Sequence, residues 1–127
     1  MIVLDTCLIS EIFRPVPDAR VVEWLESLTG RVAITAVTLA ELLAGVRRLS
    51  EGRRKDALAA RIDEALQPYR DTRAVLAFDH MAADHYAEIL AERERMGLPV
   101  STADAQIAAI CRSHAATCAT RNIKDFV

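Results

Sequence analysis

The stretch Ile2-Val3-Leu4-Asp5-Thr6 decides the reading of this chain, because three aliphatic residues in a row, without polar alternation, stop abruptly at a carboxylate. A strand buried on both faces has this unbroken apolar character, and it belongs to a parallel sheet covered by helices. Asp5 then stands at the carboxyl end of a central strand, the edge at which open α/β sheets assemble their sites. Two further acidic motifs, Thr38-Leu39-Ala40-Glu41 and Ser101-Thr102-Ala103-Asp104, each place a carboxylate in the first turn of a helix. Three carboxylates meeting at one sheet edge would repel one another unless a cation neutralised them. All-oxygen ligation favours Mg²⁺ or Mn²⁺ over zinc.

Each acid also has a plain local use. Asp5 can cap a helix that begins near Leu8. Glu41 and Asp104 follow Thr38 and Ser101 at the spacing of a capping box, where an acid stabilises the helix by its dipole. Their coincidence with Asp5 is what points to chemistry. Near the last strand, Thr120-Arg121-Asn122-Ile123-Lys124-Asp125 reads first as a polar turn. Asn122 could also ligate metal directly or through water, whereas Asp125 suits a turn or helix start.

Outward from the first strand, residues 1 to 5, the chain alternates strands with helices. A short helical segment from Leu8 to Phe13 leads to a turn at Pro15-Val16-Pro17, and Asp18 caps a helix whose stripe is Val21, Leu25 and Leu28, ended by Gly30. Val32 to Thr35 is the second strand. Thr38 opens a helix through Leu42, Leu43, Val46 and Leu49 to Gly52. Another begins near Arg53, carries Leu58, Ile62, Leu66 and Tyr69, and is expected to end at Pro68. Ala74 to Phe78 is the third strand. A helix from Met81 to Met96 stops at Gly97 and Pro99, Ser101 caps the next, with Ile107, Ile110 and Cys111 facing the core, and Ala116 to Thr120 is the fourth strand. This order implies right-handed parallel crossovers and a three-layer α/β/α sandwich with a parallel central sheet, residues 1–127 forming one domain. Such sheets often continue to one more edge strand, which this chain would lack.

Composition agrees and excludes other classes. Hydrophobic residues at 52% with only 5% aromatic suit helices packed on a parallel sheet. A formal charge of −2 provides no global attraction to nucleic acid, so any such binding depends on local patches. Arg47, Arg48, Arg53, Arg54 and Lys55 form one such patch, read either as a solvated helix face or as a phosphate contact. With no leader and no apolar run of about 18 residues, neither secretion nor a membrane span is expected, and the cytoplasm is the expected location. Cys7, Cys111 and Cys118 lack CxxC spacing and read as reduced, packing thiols. His80 and His85 miss the spacing of a helical zinc pair, and His114 reads as a helix C-terminal residue. GxSxG, P-loop and GxGxxG signatures are absent from the sequence.

Met1-Ile2-Val3-Leu4-Asp5-Thr6, Ile34-Thr35-Ala36-Val37-Thr38-Leu39-Ala40-Glu41-Leu42, Ala103-Asp104-Ala105-Gln106-Ile107-Ala108-Ala109 and Ala119-Thr120-Arg121-Asn122-Ile123-Lys124-Asp125-Phe126 together resemble a PIN domain. More narrowly, the chain resembles VapC-type toxins of type II toxin-antitoxin systems, including their FitB-like branch. The resemblance implies a small bacterial endoribonuclease that uses Mg²⁺ or Mn²⁺, is usually dimeric, and is held inactive by a VapB-like antitoxin. Asp5, Glu41 and Asp104 fall on the family's acidic metal-ligand positions, and Asn122 on its fourth acidic position. The implied reaction is attack of water on an RNA phosphodiester, without a covalent enzyme intermediate.

Two positions depart from the family pattern. Cys7 replaces the Asn usually found two residues after the first Asp. Asn122 keeps an oxygen but removes a negative charge, which should weaken metal affinity, particularly for a second ion. These departures support a rival reading, a catalytically weak or inactive PIN-like protein acting through antitoxin or RNA binding. An aspartyl-phosphate phosphatase is a third reading, disfavoured because Asp5-Thr6-Cys7 lacks the second Asp that would serve as acid and base.

Overall fold

The computed structural model describes residues 1–27, 32–70 and 74–119. Four strands, β1 (Ile2–Leu4), β2 (Val32–Thr35), β3 (Val75–Leu76) and β4 (Thr117–Ala119), form one sheet in the order β3-β2-β1-β4. All neighbours are parallel: Val3 lies beside Ala33 on one side and Cys118 on the other, and Ile34 lies beside Val75. β1 is therefore central, and the chain changes its direction of progress across the sheet at β1 and β4. In an open α/β sheet that is where a crevice forms beyond the strand ends.

Strand alternation builds the two outer layers, because successive side chains leave a strand on opposite faces. Val3, Ala33 and Leu76 point to one core, shared with Ala82 and Ile89 of α5 (His80–Met96) and Ala105, Ile107, Ala109, Ile110 and Cys111 of α6 (Thr102–Ser113). Leu4 and Ile34 point to the other. There they meet Leu8 and Ile9 of α1 (Thr6–Ser10), Leu42 and Val46 of α3 (Ala36–Arg47), and Ile62 and Leu66 of α4 (Arg53–Arg70). The remaining helix, α2 (Ala19–Ser27), is amphipathic and packs Val21 and Leu25 against this second core. The α/β/α sandwich expected from the sequence is thus the observed fold.

Several boundaries differ from expectation for definable reasons. α1 starts at Thr6, capped by Asp5, and gives way to a 3₁₀ turn over Glu11–Phe13. α3 starts at Ala36 because Thr35, the last residue of β2, is itself the cap: its hydroxyl accepts the Thr38 N–H at 3.0 Å. Thr38 is therefore inside the helix. α4 runs past Pro68 to Arg70, since a proline near a helix end forfeits little hydrogen bonding while Ile62 and Leu66 are held in the core. α5 begins at His80 under an Asp79 cap and closes on Gly97, whose φ of 67° is the left-handed conformation glycine adopts most easily. β3 is shorter than expected, and β4 begins at Thr117 rather than Ala116. Leu28, Gly30, Thr120, Asn122 and Asp125 lie outside the described residues, as would any further edge strand. Among the described residues, no helix is long and apolar enough to cross a membrane.

Candidate active site at the carboxyl edge of the sheet

Three elements bring carboxylates to the carboxyl edge of the sheet. Asp5 leaves the end of β1, only 2% exposed, and its Oδ1 accepts the Leu8 N–H at 2.8 Å while its own N–H donates to the Ala119 carbonyl at 3.0 Å. It is a helix cap and at the same time a carboxyl group buried at the sheet edge. Asp104 occupies the third position of α6, where its N–H donates to the Ser101 hydroxyl at 3.1 Å, so the expected capping geometry is present. The two acids share a neighbour. Cys118 on β4 bonds to Cys111, which is the main reason its thiol is held above the ordinary range; burial and the charges of Asp5 and Asp104 push the same way. The same pairing holds the Cys111 thiol low.

Glu41 is the acid whose surroundings sequence did not foresee. With α3 capped by Thr35, Glu41 is beyond the N3 position and has no capping duty. It is exposed, yet its Oε1 accepts the Thr6 hydroxyl at 2.6 Å, a contact between α3 and the first residue after Asp5. The Thr6 and Thr38 hydroxyls lie 3.1 Å apart, and those of Thr35 and Thr38 3.3 Å apart. The motifs contain these threonines but did not announce the contacts of Thr6 with Thr38 and Glu41, which join residues distant in sequence.

Glu41 also stands at the wall of a cleft of about 620 Å³ between α3 and α6. Small residues, Ala36, Ala40, Ala44 and Ala103, leave the space open, and Arg48, Thr102 and Gln106 supply polar groups. Of the basic patch, Arg47, Arg48, Arg53 and Arg54 are exposed, whereas Lys55 is engaged by Glu51 at 2.7 Å.

The carboxylates offer hard oxygen donors of the kind a divalent cation takes. Among the described residues, no three His, Cys, Asp or Glu side chains converge closely enough to enclose an ion. That spread suits Mg²⁺, which keeps several waters and is commonly held by one or two carboxylates together with substrate phosphates. The donor set therefore fits an open, hydrated site better than a closed cage. Cys7, expected to pack, is instead exposed on α1, because Leu8 and Ile9 take the inward positions of that short helix. His114 caps the end of α6, and His85 lies 3.9 Å from Glu88, so neither joins the acidic edge.

A family model described as PIN domain matches residues 2–126. Toxin FitB of Neisseria gonorrhoeae is 41% identical over 127 residues, covering 99% of this chain and 91% of that protein. VapC ribonuclease Y4jK of Sinorhizobium fredii is 34% identical, covering 99% of this chain and 90% of its own. The crystal structure of FitAcB from Neisseria gonorrhoeae has a chain with the same fold at a TM-score of 0.91 and 40% identity, covering 99% of this chain and 91% of that one.

Proposed function

We infer that this chain, which belongs to the PIN-domain family and within it to the VapC-type toxins of the FitB-like branch, is a divalent-metal-dependent endoribonuclease of a toxin-antitoxin pair. The observation that carries this reading is the bond from the Thr6 hydroxyl to Glu41, which has no capping duty and is drawn to the residue beside Asp5, in a chain whose PIN-domain match spans residues 2–126.

Asp5, Glu41 and Asp104 would hold Mg²⁺ or Mn²⁺, and Asn122 is proposed as a further oxygen donor. Bound there, the ion supplies Lewis-acid stabilisation of charge on the phosphoryl oxygens and lowers the pKa of water. The chain's own residues do the rest. Asp5 and Asp104 fix negative charge against the rigid ends of β1 and α6, so the site is set before RNA arrives. The α3–α6 cleft, with Arg48 on its wall, accommodates the phosphodiester backbone. A VapB-like antitoxin would silence the toxin, which would act as a homodimer in the bacterial cytoplasm.

The test is RNA cleavage by the purified chain with Mg²⁺ or Mn²⁺, beside Asp104→Asn and a chelator control. Chelation and Asp104→Asn should each abolish cleavage. Activity that survives both would overturn the reading.

A further inference from the structure

Thr35, Thr38 and Thr6 lead in sequence from buried to surface positions and end on Glu41. Thr35 and Thr38 are 0% exposed, so no water competes for their hydroxyls. The proton accounting is closed. An ionised carboxylate only accepts, so the single Thr6 hydroxyl proton goes to Glu41 at 2.6 Å. The Thr6 oxygen then accepts from Thr38 across 3.1 Å, and Thr38, its proton committed, accepts from Thr35 across 3.3 Å. Thr35 in turn accepts the Thr38 N–H at 3.0 Å. The three hydroxyl contacts shorten toward the charge, as expected for a chain in which each bond polarises the next.

We propose that this threonine relay is a positioning device that holds Glu41 toward Asp5 for divalent-ion binding, with Thr6 as its key residue. An exposed glutamate otherwise loses rotamer freedom only when the ion arrives, an entropic cost that lowers affinity. The relay meets that cost during folding. One hydrogen bond occupies part of one oxygen and leaves the carboxylate its charge. A lone bond to an exposed group adds little to stability, so the value of the contact lies in orientation.

This inference rests on Glu41 being an ion ligand, and the experiment separates the two ideas. Mn²⁺ binding to the full chain is measured by titration calorimetry for the wild type, Thr6→Val, Thr6→Ser, Thr38→Val and Glu41→Gln, with thermal melts in chelator. Valine keeps the shape of threonine and removes the donor, while serine keeps the donor. Loss of a group that orients a ligand costs about 10–100-fold in affinity, so Thr6→Val should weaken Mn²⁺ by that range. Thr6→Ser should stay within about 3-fold of wild type, on the same reasoning that the oriented hydroxyl is what matters. Thr38→Val should fall between them, which keeps the relay testable even if Thr6→Val does not fold. Wild-type affinity in Thr6→Val, with Glu41→Gln weakened, overturns the relay alone. If Glu41→Gln binds as tightly as the wild type, or the wild type binds no Mn²⁺, the ligand assignment fails and the relay with it.

Discussion

Asp5 has two roles that one pair of substitutions can separate. Its Oδ1 caps α1 through the Leu8 N–H at 2.8 Å in a site only 2% exposed. Asn is about as good an N-cap as Asp, so Asp5→Asn should keep this bond and lose roughly 1 kcal/mol or less. Asp5→Ala removes the cap and leaves the buried Leu8 N–H unsatisfied, a single loss of about 1–3 kcal/mol. For a chain of this length each kcal/mol moves the melting temperature by roughly 3–5 °C. The Ala variant should therefore melt about 3–15 °C lower, and the Asn variant should lose less, staying within about 5 °C of wild type. Activity should not follow stability. Both variants lose the charge that would hold the ion, and several kcal/mol of transition-state stabilisation corresponds to at least about 100-fold in rate. Thermal melts in chelator and cleavage rates with Mn²⁺ give the two readings. Near wild-type cleavage by Asp5→Asn would show that Asp5 is a cap and nothing more.

Arg48→Gln should weaken RNA binding and reduce its salt slope by about 0.7, the share of one phosphate contact on single-stranded nucleic acid, whereas Arg47→Gln, on the same helix but off the cleft wall, should leave the slope unchanged in a binding titration. Asn122→Asp should tighten Mn²⁺ in calorimetry by restoring a charge to the donor set; equal or weaker affinity would place residue 122 away from the ion and leave Asp125 as the fourth acid. The Asp79 cap predicts a pH effect. The Ala82 N–H bond holds its carboxyl below the ordinary 3.8, so its contribution is present above that value and lost as pH falls through the lower folded-state one. Asp79→Ser, a cap that does not titrate, should therefore show a shallower fall in melting temperature below about pH 4, and identical acid profiles would refute this.

The layered fold was legible because Val3 and Leu4, side by side in an unbroken apolar run, must face opposite layers, and the structure sends them to separate cores. Ser101 and Asp104 were legible as a cap because only one threonine or serine spacing was available there. At the start of α3 two spacings competed. Thr35 precedes Thr38 by the same interval at which Thr38 precedes Glu41, and local pattern cannot choose between them. The choice is made by contacts across the fold, with Thr6 reaching Thr38 and Glu41 from another helix. The outward turn of Cys7 follows similarly from which neighbours α1 buries. Buried Glu11 went unread for the same reason: its carboxylate accepts the Asp18 N–H at 3.1 Å and pairs with Arg14 at 3.2 Å, fastening the loop between them.

The placement of β1 between β2 and β4 sets an order of events during synthesis. The first strand to leave the ribosome finds one neighbour early, when Val32 and Ala33 emerge, but its other edge must wait for Thr117, Cys118 and Ala119. At about 5–20 residues per second that interval is on the order of ten seconds. Throughout it the Asp5 N–H lacks the carbonyl it meets in the finished fold. The acidic edge is thus among the last parts of the molecule to be completed, although its first acid is among the first residues made.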